Sequence, residues 1–516
     1  MATENWEISK PLARSARGVV AAQNWRAAAA GAEVLGAGGN AVDAAVATAA
    51  ALAVAEPWMS GLGGCGFMVV YSAAEQAVSV VDFGTVAPRN LDPAAYPLRD
   101  EAETDSDLFG WPGVEEDRNV LGPLSVAVPT SVAGLALALE RFGSWPWARV
   151  LEPAIALAKQ GHVVDWWTTL KVAGAAAGLR RNPAAAAVYL PDGLPPVAEA
   201  LERLTLDLGH LPDTLVRLAE AGPQDFYRGA LAEALVADLA ELGGVLSAED
   251  LAGYEARVVA PLTLERGETR YHLPGGLTAG PTFAEALAAT GPIPPGPPTA
   301  ETFAAYAGAL SGAYRRRLAE MGHDGDLAGG GSTTHISVAD GQGNLVSLTN
   351  TLLSIFGSRV VSPQSGVLLN NGIMWFDPRP GRPNSIAPGV RPLCNMSPLV
   401  ASRGGRPWFA LGGSGGRRIL PAVFQIASFL ADGGLDLEAA VRQPRINVDG
   451  GPEVEVDPRL GEAVAARIAE DLPVRRVEAV LQPNHYANPL IALHDSTGCV
   501  GAAQLPSPAA AAVGVP

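Results

Sequence analysis

The chain has 516 residues, a formal net charge of −17 from 36 basic and 53 acidic side chains, and a composition that is 48% hydrophobic and 17% charged. This excludes a disordered chain and supplies ample material for a core. The acidic balance argues against broad phosphate-backbone binding, whose affinity comes from Lys and Arg.

The first residues, MATENWEISKPLARSARG, carry no apolar run of the secretory type, so a cytoplasmic location is expected. Residues 24–57 read as two helices. Asn24 caps the first and Gly38–Gly39 end it; Asn40 caps the second, which Pro57 follows. The apolar stretch 41–55 contains Asp43 and is shorter than the ~20 residues needed to span a bilayer, so a buried core helix is expected. The glycine string Gly61, Gly63, Gly64, Gly66 leads into the strand FMVVYS, which VSVVDFG (78–84) can pair. Residues 100–118 read as a solvated acidic loop. Helices follow at SVAGLALALERF, opened by Thr130 and closed by Gly143, and at 147–161. Helical segments broken by Pro and Gly fill 165–260. GPIPPGPPTA (291–300) has the composition of a linker and precedes a helix near 301–321. Strands dominate after that, and no internal repeat is present. Helices first and strands last suggest an α+β or layered fold. The three cysteines, Cys65, Cys394 and Cys499, lack CxxC spacing and are no disulfide framework. The histidines show no metal spacing.

The segment GGGSTTHISVADGQGNLVSLTNT (329–351) is the most informative. Gly329–Gly331 reads as the most flexible point of the sequence. HISVA and LVSLT both alternate with period two, and Asp340–Asn344 between them is a turn cluster, which predicts a hairpin. If Ala339 faces Leu345, then Ser337 faces Ser347, His335 faces Thr349 and Thr333 faces Thr351, all on one face of the sheet. Thr–Thr cross-strand pairs are also ordinary sheet chemistry. GGGSTT lacks the Gly-Lys-Ser/Thr end of a P-loop. GGSGGRRI (412–419) before an apolar helix is a glycine loop whose backbone amides suit an anion.

Several motifs together resemble the γ-glutamyltransferases, a family of N-terminal-nucleophile hydrolases. They are GAGGNAVDAAVA (36–47), AEPWMSGLGGCGFMVVY (55–71), STTHISVAD, SGVLLNNG (365–372), RPLCNMSP (391–398) and GGSGGRRI, in family order along most of the chain. The resemblance implies an α+β fold, a four-layer αββα sandwich made as one proenzyme, a zymogen. It implies autocatalytic cleavage between Ser332 and Thr333, giving a helix-rich chain 1–332 and a chain 333–516 that stay together as one unit. It also implies that Thr333 is the nucleophile, with its freed α-amine as base at an unperturbed pKa of ~7.7–8.0. Thr351 matches a threonine that hydrogen-bonds the nucleophile, and Gly415 and Gly416 match oxyanion donors. His335 is then expected to be structural. No metal or cofactor is implied, and the partner is a small-molecule substrate, with no nucleic acid or membrane.

The substrate clamp departs from the family pattern. Gly84 stands where the resemblance places an arginine for the substrate α-carboxylate, and Trp375 where it places an acid for the α-amino group. Gly372 and Leu353 replace polar residues. Cys394 and Asn395 replace a serine pair, Cys394 being expected as a small buried residue. Arg391 and Arg418 are arginines near enough in sequence to compensate. Asp82, Asp43 and Asn40 read as capping and loop residues. The resemblance thus implies a hydrolase or acyltransferase acting through a threonine acyl ester on a small amide or acyl metabolite rather than ordinary glutathione, its acyl group packed against Trp375. The alternatives are hydrolysis of a carbon–carbon bond in an activated oxo-acid side chain, as in alkylproline antibiotic biosynthesis, and an uncleaved binding protein.

Overall fold

The computed structural model describes residues 10–99, 111–199, 202–323, 334–482 and 484–516. Two seven-stranded sheets lie face to face, and every neighbouring pair of strands in them is antiparallel. The first sheet runs Ala511–Gly514, Gly18–Ala22, Thr334–Asp340, Leu345–Thr351, Cys65–Ser72, Ala77–Phe83, Arg257–Val259. The second runs Ala13–Ser15, Gly498–Ala503, Asn488–Asp495, Arg406–Ser414, Leu399–Arg403, Thr269–Leu273, Leu262–Arg266. Each sheet takes strands from both sides of position 332, so the segments 1–332 and 333–516 build one core rather than two.

The layers follow from alternation along the strands. Val19, Val69, Tyr71, Ala339 and Leu345 of the first sheet pack on Val400, Ala410 and Ala492 of the second. The opposite face of the first sheet, with Ile336, Val338, Val346 and Leu348, is covered by the helices Trp25–Gly36, Ala41–Ala55, Ser131–Phe142 and Trp147–Gln160. The second sheet is covered by Gly280–Thr290, Ala300–Glu320 and Ile419–Ala431. This is the four-layer αββα sandwich that the resemblance implied.

Helix Ala41–Ala55 is buried along all its length, in keeping with an alanine-rich stretch that has no polar face. Asn40 closes a capping box with Asp43, whose carboxylate also takes the Ser144 and Trp145 N–H groups. Among the described residues no helix is long and apolar enough to cross a membrane.

Three expectations need correcting or bounding. The 291–300 linker run is a surface loop, and it joins helices Gly280–Thr290 and Ala300–Glu320, which share one apolar cluster. Its prolines only prevent the two helices from merging. Asp82 is no loop residue; it sits in strand Ala77–Phe83 and carries an ion pair. Of the acidic stretch, 100–110 lies outside the described residues.

Candidate active site

The hairpin forms with the expected register: Ala339 faces Leu345, Ser337 faces Ser347 and His335 faces Thr349. Asp340 Oδ1 accepts the Gln342 and Asn344 N–H groups and so closes the turn. Ser332 and Thr333 lie outside the described residues, as does Gly329–Gly331. Thr334, the first described residue of the strand, pairs with Asn350 and donates its hydroxyl to Glu56 Oε2 at 3.1 Å.

Alternation puts His335, Ser337, Ser347, Thr349 and Thr351 on the face toward the second sheet, where a polar network replaces apolar contact. His335 Nδ1 meets Thr349 Oγ1 and its Nε2 meets Ser337 Oγ, each at 3.0 Å. Ser337 and Ser347 donate across to the Leu490 and Leu411 carbonyls. Burial pushes the His335 pKa down to about 3, so the ring is neutral. It lies so close to the facing strand that a Cβ on Gly412 would stand 2.3 Å from His335 Cε1. A side chain at 412 would hold the sheets apart at the end of the hairpin.

Three residues beyond Gly412 the same strand runs into the glycine loop. Gly415 has φ +136° and ψ 27°, a conformation open to glycine, and a Cβ there would lie 2.9 Å from Ala487 Cα. The turn bonds of the loop use its carbonyls: Arg418 N–H donates to Gly415 O and Ile419 N–H to Gly416 O. Helix Ile419–Ala431 follows. The His335–Gly412 contact thus brings the open end of the hairpin and the glycine loop together.

Thr351 is fully buried and ends its strand opposite Cys65. Its Oγ1 accepts the Leu353 N–H at 2.8 Å. Leu353 holds φ +84°, a strained conformation for a bulky side chain. Asn350 Oδ1 accepts the Thr351 N–H and the Ser131 hydroxyl.

Beside Thr351 is an apolar compartment of Cys65, Phe67, Trp111, Leu353, Met374, Trp375, Cys394 and Met396. Trp375 is buried, and neither its indole nitrogen nor that of Trp111 has a partner among the described residues. The side-chain amide of Asn119 and the Nδ2 of Asn395 are likewise buried without one. Unpaired buried polar groups are costly, and these four side chains all offer N–H donors. Cys394 is a neutral thiol, burial pushing its pKa up to about 12. Arg317 from the helix layer holds this wall: Nη2 donates to Cys394 O at 2.8 Å and to Asn395 Oδ1 at 3.2 Å.

Arg391 Nη1 lies 2.7 Å from both oxygens of Asp82. Burial opposes its charge, but Asp82 and the Tyr254 hydroxyl outweigh that and raise its pKa. The guanidinium stands against Gly84, whose carbonyl accepts the Tyr254 hydroxyl. Arg418 is directed elsewhere, to Asn484 O. Gly372 packs against Ala127 and Thr85. No group of three or more His, Cys, Asp or Glu side chains among the described residues is suited to a metal.

The sequence matches the Gamma-glutamyltranspeptidase family model over residues 27–324 and 311–481. The chain belongs to this family of enzymes. Over 504 residues it is 36% identical to the acylase ACY 1 proenzyme of Pseudomonas sp. (strain SE83), covering 89% of this chain and 88% of that protein. It is 30% identical over 488 residues to the glutathione hydrolase proenzyme of Escherichia coli (strain K12), covering 84% and 81%. The fold is that of cephalosporin acylase from Bacillus halodurans, with a TM-score of 0.86 over 99% of this chain and 98% of that one at 24% identity.

Within the family frame, sequence reasoning placed Thr351, Gly415 and Gly416 in segments that do converge, and the structure puts Trp375 and Cys394, two candidates named separately, in one apolar cluster. It missed Asp82, Glu56 and Arg317. Arg317 had a signal: Leu310, Ala313, Tyr314 and Arg317 share one buried helical face. Glu56 had one too, as the lone acid ending an alanine helix before Pro57.

Proposed function

We propose that this chain is a self-cleaving threonine hydrolase of the acylase type. Thr333 attacks the Ser332 carbonyl carbon through its hydroxyl oxygen, the amide nitrogen leaves with a proton as the α-amine of Thr333, and water hydrolyses the resulting ester. Chains of 332 and 184 residues are produced. The freed amine then takes the proton of its own hydroxyl as the substrate carbonyl is attacked. The tetrahedral oxyanion is held by the N–H groups of Gly415 and Gly416, which no turn bond of the loop uses. Thr351, whose hydroxyl oxygen already accepts one N–H, donates a hydrogen bond from that hydroxyl to the nucleophile oxygen. Collapse releases the amine, and water frees the acid.

The observation that carries this reading is the His335–Gly412 contact, which joins the hairpin end to the glycine loop as a nucleophile and its oxyanion site must be joined. The names of the relatives, both proenzymes, agree with it.

The acyl group differs from γ-glutamyl. A substrate ammonium would meet Leu353, Gly372 and Trp375, none of which carries charge, and transfer of an ammonium to such a wall is unfavourable. Arg391 and the unpaired indole and amide donors favour an acceptor-bearing acyl chain with an apolar body, which excludes glutathione as the ordinary substrate. Asn395, Cys394 and Gly84 shape the same compartment.

Denaturing gels test the reaction: two chains from the wild type and one from Thr333→Ala are expected, and a single wild-type chain would refute it. Matched anilides test the substrate. Glutaryl-p-nitroanilide, which lacks only the amino group, should be cleaved at least tenfold faster than γ-glutamyl-p-nitroanilide. Faster γ-glutamyl turnover, or turnover of oxo-dienoates alone, would overturn the acyl assignment.

A further inference from the structure

Helix Ala41–Ala55 and strand Thr334–Asp340 run antiparallel in contact, and their lengths match. Fifteen residues of helix rise ~22 Å from Ala41 to Glu56, and six strand steps span ~20 Å. The pair is tied at both ends by carboxyl groups. At the hairpin turn, Asp340 Oδ2 accepts the Ala41 N–H at 3.0 Å. At the open end, Glu56 Oε2 accepts the Thr334 hydroxyl at 3.1 Å. Between the ties the contact is apolar, through Ile336 and Val338.

The turn that begins at Glu56 grips the second strand as well. Met59 O accepts the Leu352 N–H at 2.9 Å, and Trp58 O accepts the Phe356 N–H at 2.8 Å. One four-residue turn therefore holds Thr334 on one strand and the exit of Thr351 on the other.

We propose that Glu56 is a positioning residue for the self-cleaving junction, holding through Thr334 the strand that cleavage converts into a chain end. This rests on the proposed cut before Thr333. Until the cut, residue 334 is restrained by chain on both sides. Afterwards a new chain begins at residue 333, and chain ends fray unless something ties them down. Among the described residues, the backbone ladder and the Glu56 carboxyl are the ties of Thr334. A packing role alone does not call for a carboxyl here: burial raises its pKa to about 8, against the smaller effects of the Thr334 hydroxyl and of Lys171. Buried without a charge at contact distance, it is an expensive group to place at that spot.

The experiment follows the first-order appearance of the chain starting at 333 in freshly folded proenzyme, with thermal unfolding in parallel. Glu56→Ala and Thr334→Val should each slow cleavage about 10–100-fold, the scale of a misplaced reacting group, and the double variant should be no slower than the worse single one. Glu56→Gln, which still accepts, and Thr334→Ser, which still donates, should stay within about threefold of wild type with unchanged Tm. In cleaved protein, amide exchange at Ile336 should be faster in Glu56→Ala than in Glu56→Gln. Additive effects, or a Glu56→Gln variant as slow as Glu56→Ala, would overturn the proposal. If Glu56→Ala does not fold, the Gln and Ser variants still decide it. Cleavage that persists in Thr333→Ala refutes the parent reading, whereas wild-type rates in Glu56→Ala and Thr334→Val refute this one alone.

Discussion

The Nη1 atom of Arg391 lies 3.4 Å from the point where a Cβ on Gly84 would stand. By resemblance, the side chain at position 84 is where the family holds a substrate carboxylate. Here the guanidinium next to that point comes from a different segment, more than three hundred residues along the chain, and is already paired with Asp82. A cation is present, but its reach and its partner differ.

Restoring the arginine should therefore fail to restore γ-glutamyl specificity. In Gly84→Arg the new Cβ would sit 3.0 Å from Phe67 Cζ and crowd Arg391. We expect destabilisation of about 1–3 kcal/mol, the usual cost of overpacking, and no rise in γ-glutamyl-p-nitroanilide turnover while Trp375 remains. Thermal denaturation and that assay check both parts.

Removing the Thr351 hydroxyl should cost rate and, because the buried Leu353 N–H loses its acceptor, about 1–3 kcal/mol of stability as well. A hydrogen bond to a reacting or charged group is worth about 1.5–3 kcal/mol, so Thr351→Val should lower kcat about 10–100-fold. Thr351→Ser should retain most activity. A comparable loss in both variants would assign Thr351 to packing.

Acid should destabilise the fold through His335. Its pKa is lowered from 6.5 to about 3 by burial, so between those values the unfolded chain binds a proton that the folded one does not. The stability contribution is full above pH 6.5 and is lost as pH falls toward 3, with a slope of up to about 1.4 kcal/mol per pH unit. Urea unfolding at a series of pH values should show this slope, and His335→Asn should flatten it.

Gly412→Ala should be disproportionately harmful for one methyl group. The added carbon would overlap the His335 ring at 2.3 Å, and the ring is fixed by Thr349 and Ser337. Separation of the sheets there should abolish activity at ambient temperature and lower Tm by several degrees. Gly413→Ala on the same strand, where the nearest atom would be 3.1 Å away, should be milder.

Some of this was readable from the chain. The register from Ala339–Leu345 to His335–Thr349 follows from period-two alternation and one turn cluster, and the caps at Asn24 and Asn40 from local hydrogen-bonding chemistry. These are short-range effects, so spacing carries them. The run of motifs from 36 to 419 carried the family and with it the layered fold. The linker composition of 291–300 did mark a loop, but composition reports backbone stiffness and not what the flanking helices pack against.

The sequence by itself determined which residues lie on which face of the hairpin and, through its motifs, the family; an altered glutamyl clamp is what the resemblance led one to expect. Only the tertiary structure decided what stands opposite each of them: Gly412 against His335, Asp82 and Gly84 against Arg391, Glu56 against Thr334. Each such pair joins segments tens to hundreds of residues apart. Their contact depends on how two sheets and two helix layers close on one another, and no local period or propensity encodes that distance.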